Sequence, residues 1–162
     1  MAILKTINTK GKYYDIDSKD IVVNYILKES KTLGGYTGAS GINTENYAEE
    51  MKTVSEKFGK SDGVQLRHFV ISFKQHEVSE PEVAWQIGNK ISKFLGTEFQ
   101  NVFSVHENTD QLHIHLVMNS VSFVDGHRYY GTRKEFYSMK NYTDKVLDDY
   151  GIGPMKYKSN KK

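Results

Sequence analysis

The chain has 162 residues, enough for one domain with a real hydrophobic core. It has no cysteine, which excludes disulfides and thiolate metal sites, and no apolar run of transmembrane length. The formal net charge of +2 is weakly basic, yet eleven tyrosines and eight phenylalanines accompany 22 Lys and Arg, a mixture suited to stacking bases and neutralising phosphates of single-stranded nucleic acid.

The opening Met-Ala-Ile-Leu-Lys lacks the apolar core of a signal peptide, so the expected location is the cytoplasm, without membrane insertion. Ala2 to Asn8 alternates and is read as a first strand. Gly11 to Asp17 is a loop carrying Tyr13 and Tyr14. Ser18 is the expected N-cap of a helix over Lys19 to Lys28, with Asp20 in the first turn and Ile21, Val22, Tyr25 and Ile26 at helical spacing. The glycines, Thr and Ser of Lys31 to Gly41 predict a mobile loop or a phosphate-approach segment. Thr44 or Asn46 caps a second helix that runs through Phe58 and ends at Gly59.

After a turn at Lys60 to Gly63, Gln65 to Phe73 has the composition of a strand. Ser79 and Glu82 have the spacing of a capping box, with Pro81 in the first turn of a helix that ends near Leu95 before Gly96. Phe99 to Glu107 and Gln111 to Val121 are strand-like and flank the turn formers Asn108, Thr109 and Asp110, which predicts a hairpin. A polar extension from Ser120 to Gly131 turns at Asp125-Gly126. Lys134 to Tyr150 is a last helix, stopped by Gly151, and Lys156 to Lys162 is a basic, frayed tail. The fold class expected from this order is α+β: an antiparallel sheet with helices packed on it.

The stretch Val105 to Asn119 carries the chemistry. Alternation puts Leu112, Ile114, Leu116 and Met118 on one face of its second strand, and His113, His115, Val117 and Asn119 on the other. The hairpin folds His106 back towards His113. Three imidazoles from two rigid strands make a facial metal site with open positions. Such a site serves hydrolysis by metal-bound water, with Glu107 or Asp110 as base, or polarises a phosphodiester for attack by a side chain such as tyrosine.

His113-Ile114-His115, with His106 seven residues upstream and Leu-Val-Met-Asn following, resembles the histidine motif of plasmid mobilisation (Mob) relaxases of the His-hydrophobic-His endonuclease superfamily. Asn24 to Thr32 (N-Y-I-L-K-E-S-K-T) resembles the N-terminal tyrosine motif of that family. Arg67 to Phe73 and the helix from Ser79 resemble its middle. Asp125-Gly126 and the Thr-Asp-Lys-Val-Leu helix resemble its end. The resemblance implies a relaxase-type sandwich, with residues 1–155 as the nuclease domain and 156–162 as a basic tail. It also implies nicking of one strand at a transfer origin, with a tyrosine joined to the 5′ phosphate and Mn²⁺ or Mg²⁺ as metal. On that resemblance Tyr25 is the nucleophile and His106, His113 and His115 are the metal ligands. Glu107, Asp110, Asn119 and His68 are possible supports of the metal shell. Lys31, Thr32, Tyr36, Arg67, Arg128 and Arg133, together with Tyr129 and Tyr130, are candidates for DNA contact. The implied partners are single-stranded or hairpin origin DNA and accessory relaxosome and coupling proteins.

Two other readings stay open. Replication initiators of the same superfamily carry their tyrosine downstream in a helix as Tyr-x-x-Lys. Tyr142 to Lys145 has that spacing, as does Tyr25 to Lys28, and the flanking Asn24 and Lys31-Thr32 favour Tyr25. A non-catalytic, metal-stabilised DNA-binding module would keep the histidines without needing Tyr25.

Overall fold

Alternating apolar residues in the middle of the chain build one six-stranded sheet in the computed structural model, which describes residues 2–7, 13–28, 32–74, 76–108 and 111–159. The elements are β1 (Ile3–Ile7), α1 (Ser18–Leu27), β2 (Thr32–Ser40), α2 (Tyr47–Lys57), β3 (Leu66–Ser72), α3 (Pro81–Leu95), β4 (Asn101–Asn108), β5 (Gln111–Asn119), α4 (Arg133–Asp149) and β6 (Lys156–Ser159). The strand order is β2-β4-β5-β3-β1-β6. All neighbours are antiparallel except β6, which adds in parallel to β1. The expected α+β class and the three central strands are found.

Helices cover both faces, and strand alternation decides which residues meet which helices. On one face, Leu112, Ile114, Leu116 and Met118 of β5 join Phe103 and Val105 of β4 and Phe69 and Ile71 of β3 beneath α3 and α4. On the other, Val117, Val102 and Leu66 pack against Val22, Val23 and Ile26 of α1 and Met51 of α2. The histidines of β5 share this second face. Helix α3 buries Ala84, Ile87, Gly88, Ile91 and Leu95, a stripe at helical spacing. Its Gly88 has a packing reason: a Cβ there would stand 2.8 Å from the Phe103 ring.

The segment from Thr32 to Ser40 is an edge strand, not the loop its glycines suggest. Gly38 lies opposite Phe103, where a Cβ would come within 2.4 Å of the ring, so this glycine admits the ring between β2 and α3. Gly35, at φ +88°, falls where the register slips between Thr32↔His106 and Thr37↔Ser104. The Ser79–Glu82 capping box does not form. Extended Glu80 is the N-cap of α3, and Pro81 opens the helix. The box occurs instead on α4, between Thr132 and Glu135. Asp17, not Ser18, is the N-cap of α1.

The frayed tail expected from Lys156 is corrected as far as Ser159. Lys156 N–H donates to the Ala2 carbonyl at 3.0 Å, and the Tyr157 ring lies 4.3 Å from that of Phe136. An open edge on β1 and an aromatic neighbour order these residues despite their charge.

Lys19, in the first turn of α1, is fully buried and donates to the Gln65 carbonyl at 3.1 Å and to Gln65 Oε1 at 2.8 Å. Burial, then the charges of Arg128 and Lys52, push its pKa down to about 7.

Two tests follow from these arrangements. Leu112→Ala and Ile114→Ala each remove a fully buried side chain and should destabilise by about 2–5 kcal/mol in chemical denaturation. His113→Ala, on the half-buried opposite face, should cost much less. Equal losses would overturn the assignment of faces. For Lys19, an unfolded lysine holds its proton to about pH 10. Between about pH 7 and that value the unfolded state therefore binds more protons, so stability should rise with pH. Lys19→Met should flatten that rise when urea midpoints at pH 7 and pH 9 are compared, and an unchanged slope would show that another group causes it.

Candidate active site

The hairpin of β4 and β5 sets His106 directly opposite His113, and Ser104 opposite His115. The rings of His106 and His115 stack at 4.2 Å between centroids, and those of His113 and His115 lie 6.5 Å apart. Each imidazole is held from behind. His106 Nε2 donates to the Ile26 carbonyl at 2.7 Å and lies 2.8 Å from Ser104 Oγ, which donates to the same carbonyl at 2.7 Å. His113 Nδ1 is 3.0 Å from Ser72 Oγ on β3. His115 Nδ1 is 3.1 Å from His68 Nε2, and the Tyr13 hydroxyl reaches the other nitrogen of His68 at 3.4 Å. Ser104 and Ser72 were not singled out in the sequence, and the bond from Tyr13 to His68 was not foreseen there. The available signal was register: Ser104 shares a face with His106 two residues away, and Ser72 pairs with His113.

Helix α1 crosses this histidine face. Its Val22, Val23 and Ile26 are buried against the sheet, while Tyr25 is 41% exposed and Ile21 66% exposed. A cleft of about 240 Å³ is lined by Ile7, Tyr13, Ile21, Val22, Tyr25, His68 and His115. Tyr25, some eighty residues before the histidines, thus opens onto the same cleft as His115. Burial, and then Tyr25, raise the pKa of Tyr13, which keeps that hydroxyl protonated.

Among the described residues, no three His, Asp or Glu side chains are arranged to enclose a metal ion. The chemistry of the donors nonetheless fits one. Metal-binding imidazoles characteristically engage a polar partner through the nitrogen that does not ligate. Here Ser72 and His68 engage Nδ1 of His113 and His115, and the Ile26 carbonyl engages Nε2 of His106. If a divalent ion binds, these backing contacts would help orient the three imidazoles toward it. Burial, then His106 and Lys5, lower the pKa of His113 and favour the neutral form that carries a lone pair.

Other residues singled out in the sequence lie elsewhere. Glu107 shares the alternation of Phe103 and Val105 and points to the α3–α4 side, away from the imidazoles. Asn119 is on the histidine face but is buried, donating to the Met51 carbonyl at 3.2 Å and to Gln100 at 3.1 Å, a tie between α2 and the sheet. Arg67 lies on the α3–α4 face and donates to the Tyr129 carbonyl at 3.1 Å. Arg128 donates to the Asp62 carbonyl at 2.8 Å and braces the turn before β3. In each case a backbone carbonyl of a loop engages the guanidinium. Tyr129 is buried and Tyr36 packs against the core below α3, whereas Tyr130 and Arg133 are exposed beside the start of α4. Thr32 pairs with His106 across β2 and β4. Lys31 and Asp110 lie outside the described residues. Tyr142 stacks on Phe94 at 4.1 Å and belongs to the α3–α4 layer, so the sheet stands between it and the histidines.

Comparisons with known proteins show the family of this chain. Residues 25–152 match the family model "Relaxase: MobA/VirD2-like, nuclease domain". A Staphylococcus aureus protein, Rlx, is 29% identical over 154 residues, which are 94% of this chain and 44% of that protein. TraI of Escherichia coli is 35% identical over 63 residues, 38% of this chain and 9% of that protein. A solved structure described as "Molecular Basis of Vancomycin Resistance Transfer in Staphylococcus aureus" aligns at a TM-score of 0.49 and 13% identity, over 79% of this chain and 76% of that chain. The chain spans less than half the length of the Rlx relatives. The family match begins at Tyr25, takes in all three histidines and runs through α4, so this chain belongs to the MobA/VirD2-like relaxase nuclease-domain family.

Proposed function

We propose that this domain nicks one strand of DNA at a transfer origin, in the service of conjugative transfer and mobilisation, with Tyr25 as nucleophile. The observation that carries the reading is the cleft shared by Tyr25 and His115, on a helix whose Ile26 carbonyl is held by His106. In the proposed step the Tyr25 oxygen bonds to phosphorus and the bond from phosphorus to the 3′ oxygen breaks. The phenol loses a proton and the departing 3′ oxygen gains one, leaving a 5′-phosphotyrosyl link and a 3′ hydroxyl.

His106, His113 and His115 would hold the divalent metal, Mn²⁺ or Mg²⁺. What a cation supplies there is positive charge beside the non-bridging oxygens of the phosphate, which eases attack by an anionic oxygen. His68 fixes the orientation of His115 from behind. Tyr13 is the nearest competitor for the nucleophile's role, but it is buried and its raised pKa opposes ionisation. Tyr142 sits across the sheet, which disfavours a replication-initiator mechanism.

No helix among the described residues is long and apolar enough to cross a membrane. The proposed setting is the cytoplasm, with single-stranded or hairpin origin DNA as substrate and relaxosome and coupling proteins as partners.

Incubation with an origin-bearing single strand and Mn²⁺ should give a covalent protein–DNA band on a denaturing gel. Tyr25→Phe should abolish the band while preserving non-covalent binding, and Tyr142→Phe should keep it. His113→Ala should abolish Mn²⁺-dependent nicking with the fold retained, and His68→Ala should lower metal affinity or rate by roughly 10–100-fold. Peptide mapping that put the DNA on Tyr142, Tyr13 or Tyr14 would overturn the assignment of Tyr25.

A further inference from the structure

The α3–α4 side of the sheet, away from the histidines, holds a cavity of about 300 Å³. The end of α3 and the start of α4 frame it, and Phe94, Phe99, Tyr129 and Met139 give it an apolar wall. Tyr129 is 4% exposed, yet its hydroxyl has no hydrogen-bond partner among the described residues. A buried hydroxyl without a partner is costly, and most such groups in folded proteins are paired. Burial, and then the Glu135 carboxylate, push the Tyr129 pKa up to about 12, so the phenol stays neutral.

Glu98 and Glu135 also line the cavity, and no lysine or arginine does among the described residues. Glu135 uses Oε1 for its bonds to Thr132 and to the Tyr130 N–H. Glu98 is half exposed and meets the His127 imidazole at 3.5 Å. Arg67 lies over the Tyr129 ring, but its guanidinium donates to the Tyr129 carbonyl. The carbonyl end of α3 adds negative charge, while the amino end of α4 is already capped by Thr132 and Glu135. In a chain of net charge +2 the cavity is thus a local excess of acceptors and negative charge.

We propose that this cavity is a docking site for an arginine side chain of a protein partner, its guanidinium held by Glu98, Glu135 and the Tyr129 oxygen. Acceptors on several sides require a ligand rich in donors, and a guanidinium has five N–H groups and no acceptor. Its flat, weakly hydrated plane also lies well on aromatic faces, which an ammonium group does less well. Phe94, backed by the Tyr142 ring at 4.1 Å, offers such a face. The volume stands at the lower end of the range for small-molecule pockets and suits one long side chain. Tyr130 and Tyr137, next in the chain to the lining residues Tyr129 and Ser138, are exposed. Exposed aromatics around an arginine pocket are what a protein interface covers, which favours a protein over a free guanidine compound. The sheet separates this site from the histidines, so the proposal stands without the nicking reading.

The test uses protein labelled at its methionine methyl groups and titrated with N-acetyl-arginine methylamide, followed by NMR. Met139 lines the cavity, and Met51 lies on the other face of the sheet as a control. The Met139 signal should shift saturably with a Kd of roughly 1–10 mM, the scale of one side chain alone, while Met51 stays still. The corresponding lysine derivative should bind about fivefold more weakly, and the uncharged norleucine derivative should cause no saturable shift. Glu98→Gln and Tyr129→Phe should each weaken arginine binding by about threefold to tenfold. Tyr129→Phe should leave the Tm of the free protein unchanged or raised, because the fold loses no hydrogen bond.

A Met139 signal unmoved at about 50 mM, or an equal response to norleucine, would overturn the arginine site. So would a shift of Met51 alongside Met139, which marks general binding to the surface. A fall in Tm for Tyr129→Phe would give the hydroxyl a partner within the fold and overturn its role as acceptor. Agmatine, a free guanidine compound, binding about tenfold more tightly than the capped arginine would overturn the protein source.

Discussion

The Ile26 carbonyl joins the helix that carries Tyr25 to the strands that carry the histidines. It accepts from both His106 Nε2 and Ser104 Oγ, in a place where both side chains are buried. Leaving one buried partner unsatisfied costs about 1–3 kcal/mol, so the two bonds resist any slide of α1 along the sheet. They also lie at the helix's last turn, where carbonyls have no partner within the helix. One contact therefore finishes α1, sets the tautomer of His106, and fixes the height of Tyr25 above the imidazoles. If α1 shifted by one residue, another carbonyl would meet His106 and Tyr25 would turn off the cleft.

The sheet itself divides the labour. Its α3–α4 face holds most of the large apolar side chains, and its α1–α2 face mixes a smaller cluster with His68, Ser72, Ser104, His106, His113 and His115. Polar groups are tolerated there because each finds a partner on a neighbouring strand or on α1. That asymmetry explains why the two Tyr-x-x-Lys segments are not equivalent. The one in α4 faces a hydrophobic layer and stacks on Phe94, while the one in α1 faces the imidazoles.

What could be read from the sequence was what local periodicity encodes. Alternation in Gln111 to Val121 gave both faces of β5, and the turn formers after Glu107 gave the hairpin that pairs His106 with His113. The amphipathic stripe of α3 and the stop at Gly96 were also visible. Features set by distant partners were not. Gly38 of β2 looked like a loop residue because its reason, the Phe103 ring, is more than sixty positions away. The side from which Glu107 projects depends on the same alternation as His106, and applying it would have removed Glu107 from the metal shell. The bracing of loop carbonyls by Arg67 and Arg128 was equally hidden, because a sequence does not show which carbonyls lie within reach of a guanidinium. The supports of the imidazoles, Ser72 and Ser104, required the register of three strands at once.

Helix α1 is held differently from α3. With ten residues and a narrow apolar stripe, it has little hydrophobic surface to anchor it. Polar ties at its two ends compensate. Near the start, Lys19 donates to Gln65, while Lys52 of α2 forms an ion pair with Asp17 at 3.2 Å and another with Asp20. At the end, His106 and Ser104 hold Ile26. A helix pinned at both ends need not bury its whole circumference to stay in place. The side bearing Ile21 and Tyr25 is thereby left open to the cleft, on a backbone held against the sheet by the opposite side. The proposed role of Tyr25 as nucleophile opposite a metal would require both properties, because such a tyrosine must be accessible to a large polymer and yet fixed to within a fraction of an ångström of its line of attack.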